Sequence, residues 1–451
     1  MRAVSEPPPF WPEELQALEL PGFEGDAMDP ADAAALGRTL EALQGEIPFP
    51  SPLYAGQMLK PPHRVARWAY AVAQALNPNN HALDGGRVSS RMEKESVGQL
   101  AGALGLPGAL GHLTSGGTLA NLEALWVAAR LRPGTAVLAS EGAHYTHRRM
   151  ASVLGLGFES VPTDGRGRMD PERLEAQLAA MDGRVACVVA TPGTTGLGAV
   201  DPVADIHAVC RDHGVRLHLD AAYGAFFRLA RRDLSVPVRR AFDAFGSADS
   251  LVVDPHKHGL QPYGCGCVLF KDPAVGRMYE HDSPYTYFTS EDLHLGEISL
   301  ECSRAGAAAV ALWATLQRFP LTDAGEFAAG LGSCLEAARI LHRHLGANGW
   351  RVLAAPDLDI VVWAPGGATA SEVSRNSRAV FDAAARRGLH LALIRLEAEQ
   401  VRRWWPDLAF DEPVVTALRS VLMKWSHRDR LDAIIERLEA ARAEADGGGQ
   451  T

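Results

Sequence analysis

Lysine is nearly absent from this 451-residue chain: Lys60, Lys94, Lys257, Lys271 and Lys424 are the whole set, against 39 arginines. Arginine can meet any need for a plain positive charge, so a lysine inside an unusual motif invites a chemical reading. Cationic excess is lacking too, since 54 acidic residues outweigh 44 basic ones for a formal charge of −10. That balance speaks against nucleic-acid and anionic-membrane partners, which require clustered cations. No apolar run approaches the roughly 20 residues of a membrane span; the best candidate, Ala305 to Leu316, is too short. The proline-rich, acidic stretch from Met1 to Glu14 has no basic-then-apolar signal pattern. The six cysteines fall at irregular spacings without a Cys-x-x-Cys, which reads as reduced thiols in a cytoplasmic protein. Cys265-Gly-Cys267 fits alternation in an apolar strand better than a ligand pair, and no metal is expected. No period repeats along the chain, which excludes solenoids and propellers.

What is present is an ordinary globular composition, 47% hydrophobic and 22% charged. The length suits two or three structural units at roughly 100–200 residues each. Residues 1–85 read as proline-broken helices (Pro30 to Leu43, Pro62 to Leu76), an arm suited to contacting a second subunit. Ser90-Arg-Met-Glu93 resembles a capping box opening a helix to about Leu104. Residues 86–320 then alternate. Apolar strands are predicted at Ala136–Ala139, Val185–Ala190, Arg216–Leu219, Leu251–Val253 and Cys267–Phe270, with helices at Leu119–Arg130, Pro171–Met181 and Pro202–His213. Continuous apolar strands separated by helices predict a largely parallel sheet covered on both faces, with ligands at the strands' carboxyl ends. After a long helix at Ala305–Arg318, residues 321–445 mix strands and helices as a smaller α/β domain. The glycine-rich tail 446–451 is expected to be disordered.

Four segments carry chemistry. Ser250-Leu-Val-Val-Asp254-Pro-His256-Lys257-His258-Gly259 delivers a histidine and a lysine at a strand's carboxyl end. His218-Leu-Asp220-Ala-Ala222-Tyr223 ends another strand in a carboxylate, which is costly in apolar surroundings unless a cation or a protonated ring nitrogen pairs with it. His112-Leu-Thr-Ser115-Gly116-Gly117-Thr118-Leu-Ala-Asn121 is a glycine-rich turn opening a helix, where free N–H groups suit a phosphate. Ser140-Glu-Gly-Ala-His144-Tyr-Thr-His147 places a flat imidazole after a strand, able to stack on an aromatic ligand. Taken singly these are also a loop lysine, a structural ion pair, a tight turn and a solvated histidine. Together they describe a site for pyridoxal phosphate, with a lysine for an imine, an aspartate for the ring nitrogen, a phosphate cradle and a stacking ring.

In this order the set resembles the group II pyridoxal-phosphate-dependent amino acid decarboxylases over about residues 50 to 425. The Thr191-Pro-Gly-Thr194-Thr195-Gly turn belongs to the same pattern. Asp-Pro-His-Lys followed by Gly259, with Asp282-Ser-Pro-Tyr285, looks closest to microbial tyrosine or aspartate decarboxylases. The resemblance implies an α/β protein of fold type I, a mostly parallel central sheet with a smaller C-terminal α/β domain, and a cytoplasmic homodimer with sites at the subunit interface. It implies pyridoxal 5'-phosphate bound to Lys257 as a Schiff base, His144 on the ring, Asp220 at the ring nitrogen and Ala222 beneath the ring. Gly116, Gly117, Thr118 and His256 would hold the phosphate, and Thr194 joins the cofactor-binding set. Asp254 stands where some members have asparagine, so no phosphate contact is carried over to it. Arg419 matches an arginine near the substrate carboxylate. Tyr285 is favoured as the acid that protonates Cα, with Tyr287 the runner-up and a substrate contact. The implied reaction is decarboxylation of an aromatic or acidic L-amino acid; an aminotransferase or carbon–carbon lyase would share the same core set. A non-catalytic protein on this fold is a more distant alternative.

Overall fold

The computed structural model describes residues 29–133, 135–280 and 292–447. Seven strands form the larger sheet, in the order β1-β7-β6-β5-β4-β2-β3. They are β1 (Leu110–Thr114), β2 (Ala136–Ser140), β3 (Gly157–Val161), β4 (Val185–Ala190), β5 (Arg216–Asp220), β6 (Ser250–Val253) and β7 (Gly266–Phe270). Only β7 runs against the rest, pairing antiparallel with both β1 and β6. Every residue of β2, β4, β6 and β7 is buried, as strands covered by helices on both faces must be. The mostly parallel α/β architecture matches the expected fold.

Strands β1 and β3 are additions to the pattern read from sequence. In β3 (Gly-Phe-Glu-Ser-Val) exposed and half-buried positions alternate at a sheet edge, so no continuous apolar run marks it. The polar residues of β1 hide it inside the glycine-rich motif that follows. The expected helix start at Ser90 is corrected. The helix runs Leu83–Ala103 with non-helical geometry at Gly86, and the Glu93 carboxylate turns inward to Asn80, the Leu113 amide and Arg304 instead of capping. A reciprocal cap needs Glu93 free at a helix end, whereas here it is the buried partner of Arg304 at 3.0 Å.

A second, antiparallel sheet has the order β10-β11-β9-β8, from β8 (Arg351–Val352), β9 (Ile360–Ala364), β10 (Ala392–Glu397) and β11 (Val414–Val421). The helices Glu326–Ala347, Ala370–Arg386 and Leu431–Gly447 pack on it around Trp363, Leu341 and Leu438. Among the described residues no helix is long and apolar enough to cross a membrane.

The carboxyl ends of β1, β2, β4, β5 and β6 all point to one edge of the large sheet. Register fixes two of them: His218 lies opposite Ser250 and Asp220 opposite Val252 on adjacent parallel strands. The aspartate that ends β5 and the lysine four residues beyond β6 therefore emerge side by side.

Candidate active site

That edge holds a cavity of about 310 Å³. Its wall includes Gly116, Gly117, Thr118, His144, Asp220, Ala222, His256 and Lys257, so eight residues of the expected cofactor set converge there. A second cavity, of about 320 Å³, lies between the 163–167 turn and the small sheet, lined by Arg166, Arg403 and Trp404 among others. None of the expected cofactor residues lines it, and the chemistry belongs to the first.

The cradle is built by glycine. Gly116 takes φ +154° ahead of the helix Gly117–Leu131, a backbone that side chains rarely adopt. A Cβ on Gly117 would lie 2.7 Å from Asp254 Oδ2, so only a bare backbone fits there. Behind the cradle Asn121 donates to the Gly117 carbonyl at 2.7 Å and meets His218 Nε2 at 2.8 Å. His218 in turn meets Ser250 on β6 at 2.9 Å. Burial lowers the pKa of His218 to about 3, so this imidazole is a neutral strut between cradle and sheet.

Lys257 Nζ lies 3.0 Å from Asp254 Oδ2, with His256 Nε2 3.5 Å from the same oxygen. The His256 ring stacks on Tyr263 with centroids 4.6 Å apart, and burial lowers its pKa. His144 is half-buried, takes the Thr146 amide on Nδ1 at 3.2 Å, and is also pushed toward neutrality by burial. A neutral, flat ring is the form that stacks well on a cofactor.

Asp220 is buried, and burial alone would raise its pKa. The hydrogen bond and charge of His147, at 2.8 Å from Oδ2, and then the positive charge of Lys257 instead hold it well below the usual carboxylate range. His147 belongs to the histidine motif after β2, but the sequence alone assigns it no role. The contact joins residues 73 apart in sequence, and no local pattern announces it.

Two expected site residues sit behind the wall. The Thr194 hydroxyl accepts the Ala199 amide at 3.1 Å and closes its own turn, while Thr191, Gly193 and Thr195 face the cavity. Arg419 donates to the carbonyls of Thr195 (2.6 Å) and Gly196 (3.0 Å) and to Gln57 Oε1 (3.3 Å). It clamps the turn that forms the wall. Tyr285 and Tyr287 lie outside the described residues.

Of the other lysines, Lys424 is buried and Lys60 half-buried. Lys424 donates to the Tyr54 carbonyl and lies 4.9 Å over the Tyr54 ring. Lys60 reaches the carbonyls of His258 and Met423 at 3.4 and 3.5 Å. Burial lowers their pKa values to about 7 and about 8 respectively.

The cavity fits pyridoxal phosphate on its own chemistry. Lys257 offers an amine for the aldehyde, the buried Asp220 an anion for a ring nitrogen, and the glycine turn a seat for a phosphate. Among the described residues His256 Nδ1, Thr191 Oγ1 and Asp254 Oδ1 have no hydrogen-bond partner, leaving polar atoms for a ligand to satisfy. No cluster of three or more His, Cys, Asp or Glu able to hold a metal occurs among the described residues.

Comparison with known proteins decides the family. Residues 89–355 match the pyridoxal-dependent decarboxylase conserved domain. This chain belongs to that family. It is a pyridoxal-phosphate-dependent amino acid decarboxylase, as the resemblance implied. A probable L-tyrosine/L-aspartate decarboxylase of Methanocella arvoryzae is 29% identical over 330 residues, covering 71% of this chain and 81% of that protein. The L-tyrosine decarboxylase of Enterococcus faecium is 27% identical, over 78% of this chain and 76% of its own length. The crystal structure of mouse CSAD superposes with TM-score 0.77 at 22% identity, covering 96% of this chain and 92% of that one. The fold is thus that of pyridoxal-dependent decarboxylases.

Proposed function

We propose that Lys257 carries the cofactor and that the cavity decarboxylates an aromatic or acidic L-amino acid, with tyrosine and aspartate the first candidates. The carrying observation is the convergence of Lys257, Asp220, His144 and the Gly116-Gly117-Thr118 turn on one cavity. Names of relatives such as the tyrosine/aspartate decarboxylases support the choice of substrates to try first.

When bound, pyridoxal phosphate supplies an aldehyde that condenses with an amine and a ring that accepts the electron pair released as carbon dioxide leaves. The chain's residues divide the remaining work. Lys257 hands its place to the substrate amine and, with Asp254 beside it, has a carboxylate to share its proton with. Asp220 keeps a negative charge facing the ring nitrogen. His144 and Ala222 would pack against the ring. The N–H groups of Gly117 and Thr118, together with His256, would hold the phosphate. Thr194 serves the cofactor indirectly, through the turn it closes. Arg419 fixes the Thr195-Gly196 wall from behind, and its role toward the substrate carboxylate rests on the resemblance alone. Tyr285 returns the proton to Cα, with Tyr287 as its alternative and a substrate contact; this rests on the resemblance alone.

The working unit is a homodimer. Helix Pro30–Leu43 buries no residue against the described chain and exposes Leu36, Leu40 and Leu43 at helical spacing, at 49%, 65% and 57%. Such an arm suits a second copy of the chain. All six cysteines are free thiols, five of them buried, and burial pushes Cys187 and Cys210 up to about 12, which accords with a reducing, cytoplasmic setting.

The test is incubation of the holoenzyme with each of the twenty amino acids, measuring carbon dioxide, amine, keto acid and aldehyde. Carbon dioxide and amine from tyrosine or aspartate is the expected result. Keto acid or aldehyde as the main product from every substrate would overturn it in favour of transamination or lyase chemistry.

A further inference from the structure

His147 opens the short helix Thr146–Val153, its ring is fully buried, and its Nε2 lies 2.8 Å from Asp220 Oδ2. Its Nδ1 has no partner among the described residues. With Nδ1 unpartnered, the ring's one hydrogen bond runs through Nε2, whose N–H is aimed at the carboxylate. The other oxygen, Oδ1, takes only the Ala222 amide, at a long 3.3 Å. Asp220 itself lines the cavity.

We propose that His147 is a positioning residue that holds Asp220 ionised and turned so that the oxygen it does not bind meets the cofactor's ring nitrogen. The inference rests on the reading of Asp220 as that nitrogen's partner. A hydrogen bond from a neutral donor to a carboxylate is short and strong in a dry setting, and it occupies one oxygen without cancelling the charge. His144, His218, Lys257 and Asp254 complete the charged and titratable surroundings. Of these His218 is already committed to Asn121 and Ser250, and His144 stands on the cavity wall. No other side chain is hydrogen-bonded to Asp220 among the described residues. Without His147 the cheapest fate of a buried carboxyl is to take a proton, and the ring nitrogen then loses its anionic partner.

The test loads the parent enzyme, His147→Leu, His147→Gln and Asp220→Asn with pyridoxal phosphate labelled with nitrogen-15 in the ring. Ring-nitrogen protonation is read from the chemical shift, and kcat and KM are measured alongside. The Leu variant is expected to lose ring protonation and roughly 10- to 100-fold in kcat, the size of a hydrogen bond to a charged group, with KM little moved. The Gln variant, which keeps an N–H donor, is expected to recover much of both. A Leu variant with the parent's ring-nitrogen signal overturns the proposal, as does equal loss in Leu and Gln. If the Leu variant does not fold, His147→Met, which fills similar space without a donor, replaces it with the same outcomes. Asp220→Asn separates the two readings: if it too leaves the ring protonated, the assignment of Asp220 fails first.

Discussion

Asp220 and Asp359 are both buried, and each lies against an imidazole, His147 at 2.8 Å from the first and His258 at 3.3 Å from the second. Their remaining neighbours differ. Asp359 also takes the Tyr223 hydroxyl at 2.6 Å, and its charge favours the ammonium of nearby Lys60. His258 and Tyr223 are buried and Lys60 half-buried, and Asp359 directly precedes β9, so the cluster ties the small sheet to the segments that follow β5 and β6. Asp220 has a histidine behind it and a cavity in front. Two similar pairs thus serve different ends: a carboxylate hemmed in by protein groups holds domains together, and one partnered from behind alone is available to a ligand.

The contrast can be broken experimentally. Lys257→Ala removes the amine opposite Asp220; Schiff-base absorbance and turnover should both vanish while the melting temperature holds, read by spectroscopy and calorimetry. Asp220→Asn should lower kcat by roughly 10²- to 10³-fold, the scale of losing one aligned electrostatic contact, with thermal stability nearly intact. Asp359→Asn should do the reverse. It removes the charge beside His258 and the half-buried Lys60, so calorimetry should show a clear fall in melting temperature with only a few-fold change in kcat. If Asp359→Asn proved silent in stability and severe in turnover, the division of labour would be wrong.

The smallest effect is in pH. Lys60 falls from 10.5 to about 8 in the folded protein. Between those values the unfolded chain binds a proton that the folded chain does not, so stability rises with pH across that window and the gain is lost as pH falls through about 8. Lys60→Met should lack this slope, flattening the melting-temperature profile between about 8 and 10.5 relative to the parent.

Much of this was readable before any coordinates. Lys257, Asp220, His144 and the cradle were legible because each follows a strand, and parallel strands deliver their carboxyl ends to one place. What escaped depends on contacts distant in sequence. His147 needs Asp220, 73 residues on; Lys60 lies 198 residues from the His258 carbonyl it reaches; Lys424 lies 370 from Tyr54. A lysine before Pro-Pro has no local feature that predicts burial. The Ser90 cap failed for the same reason, since Glu93 is drawn to Arg304, 211 residues away. Arg419 was located by pattern, but its grip on two backbone carbonyls could come only from the folded turn.

The placement of the lysines also turns the protein into its own occupancy gauge. A protease that cuts only after lysine has five targets here, and Lys257 separates the fragments 95–257 and 258–271. Once borohydride has fixed the cofactor to Lys257, that cut is blocked and the unfolded chain yields a single 95–271 piece. The ratio of joined to separate fragments on a gel then counts loaded sites directly, with no substrate and no spectrum.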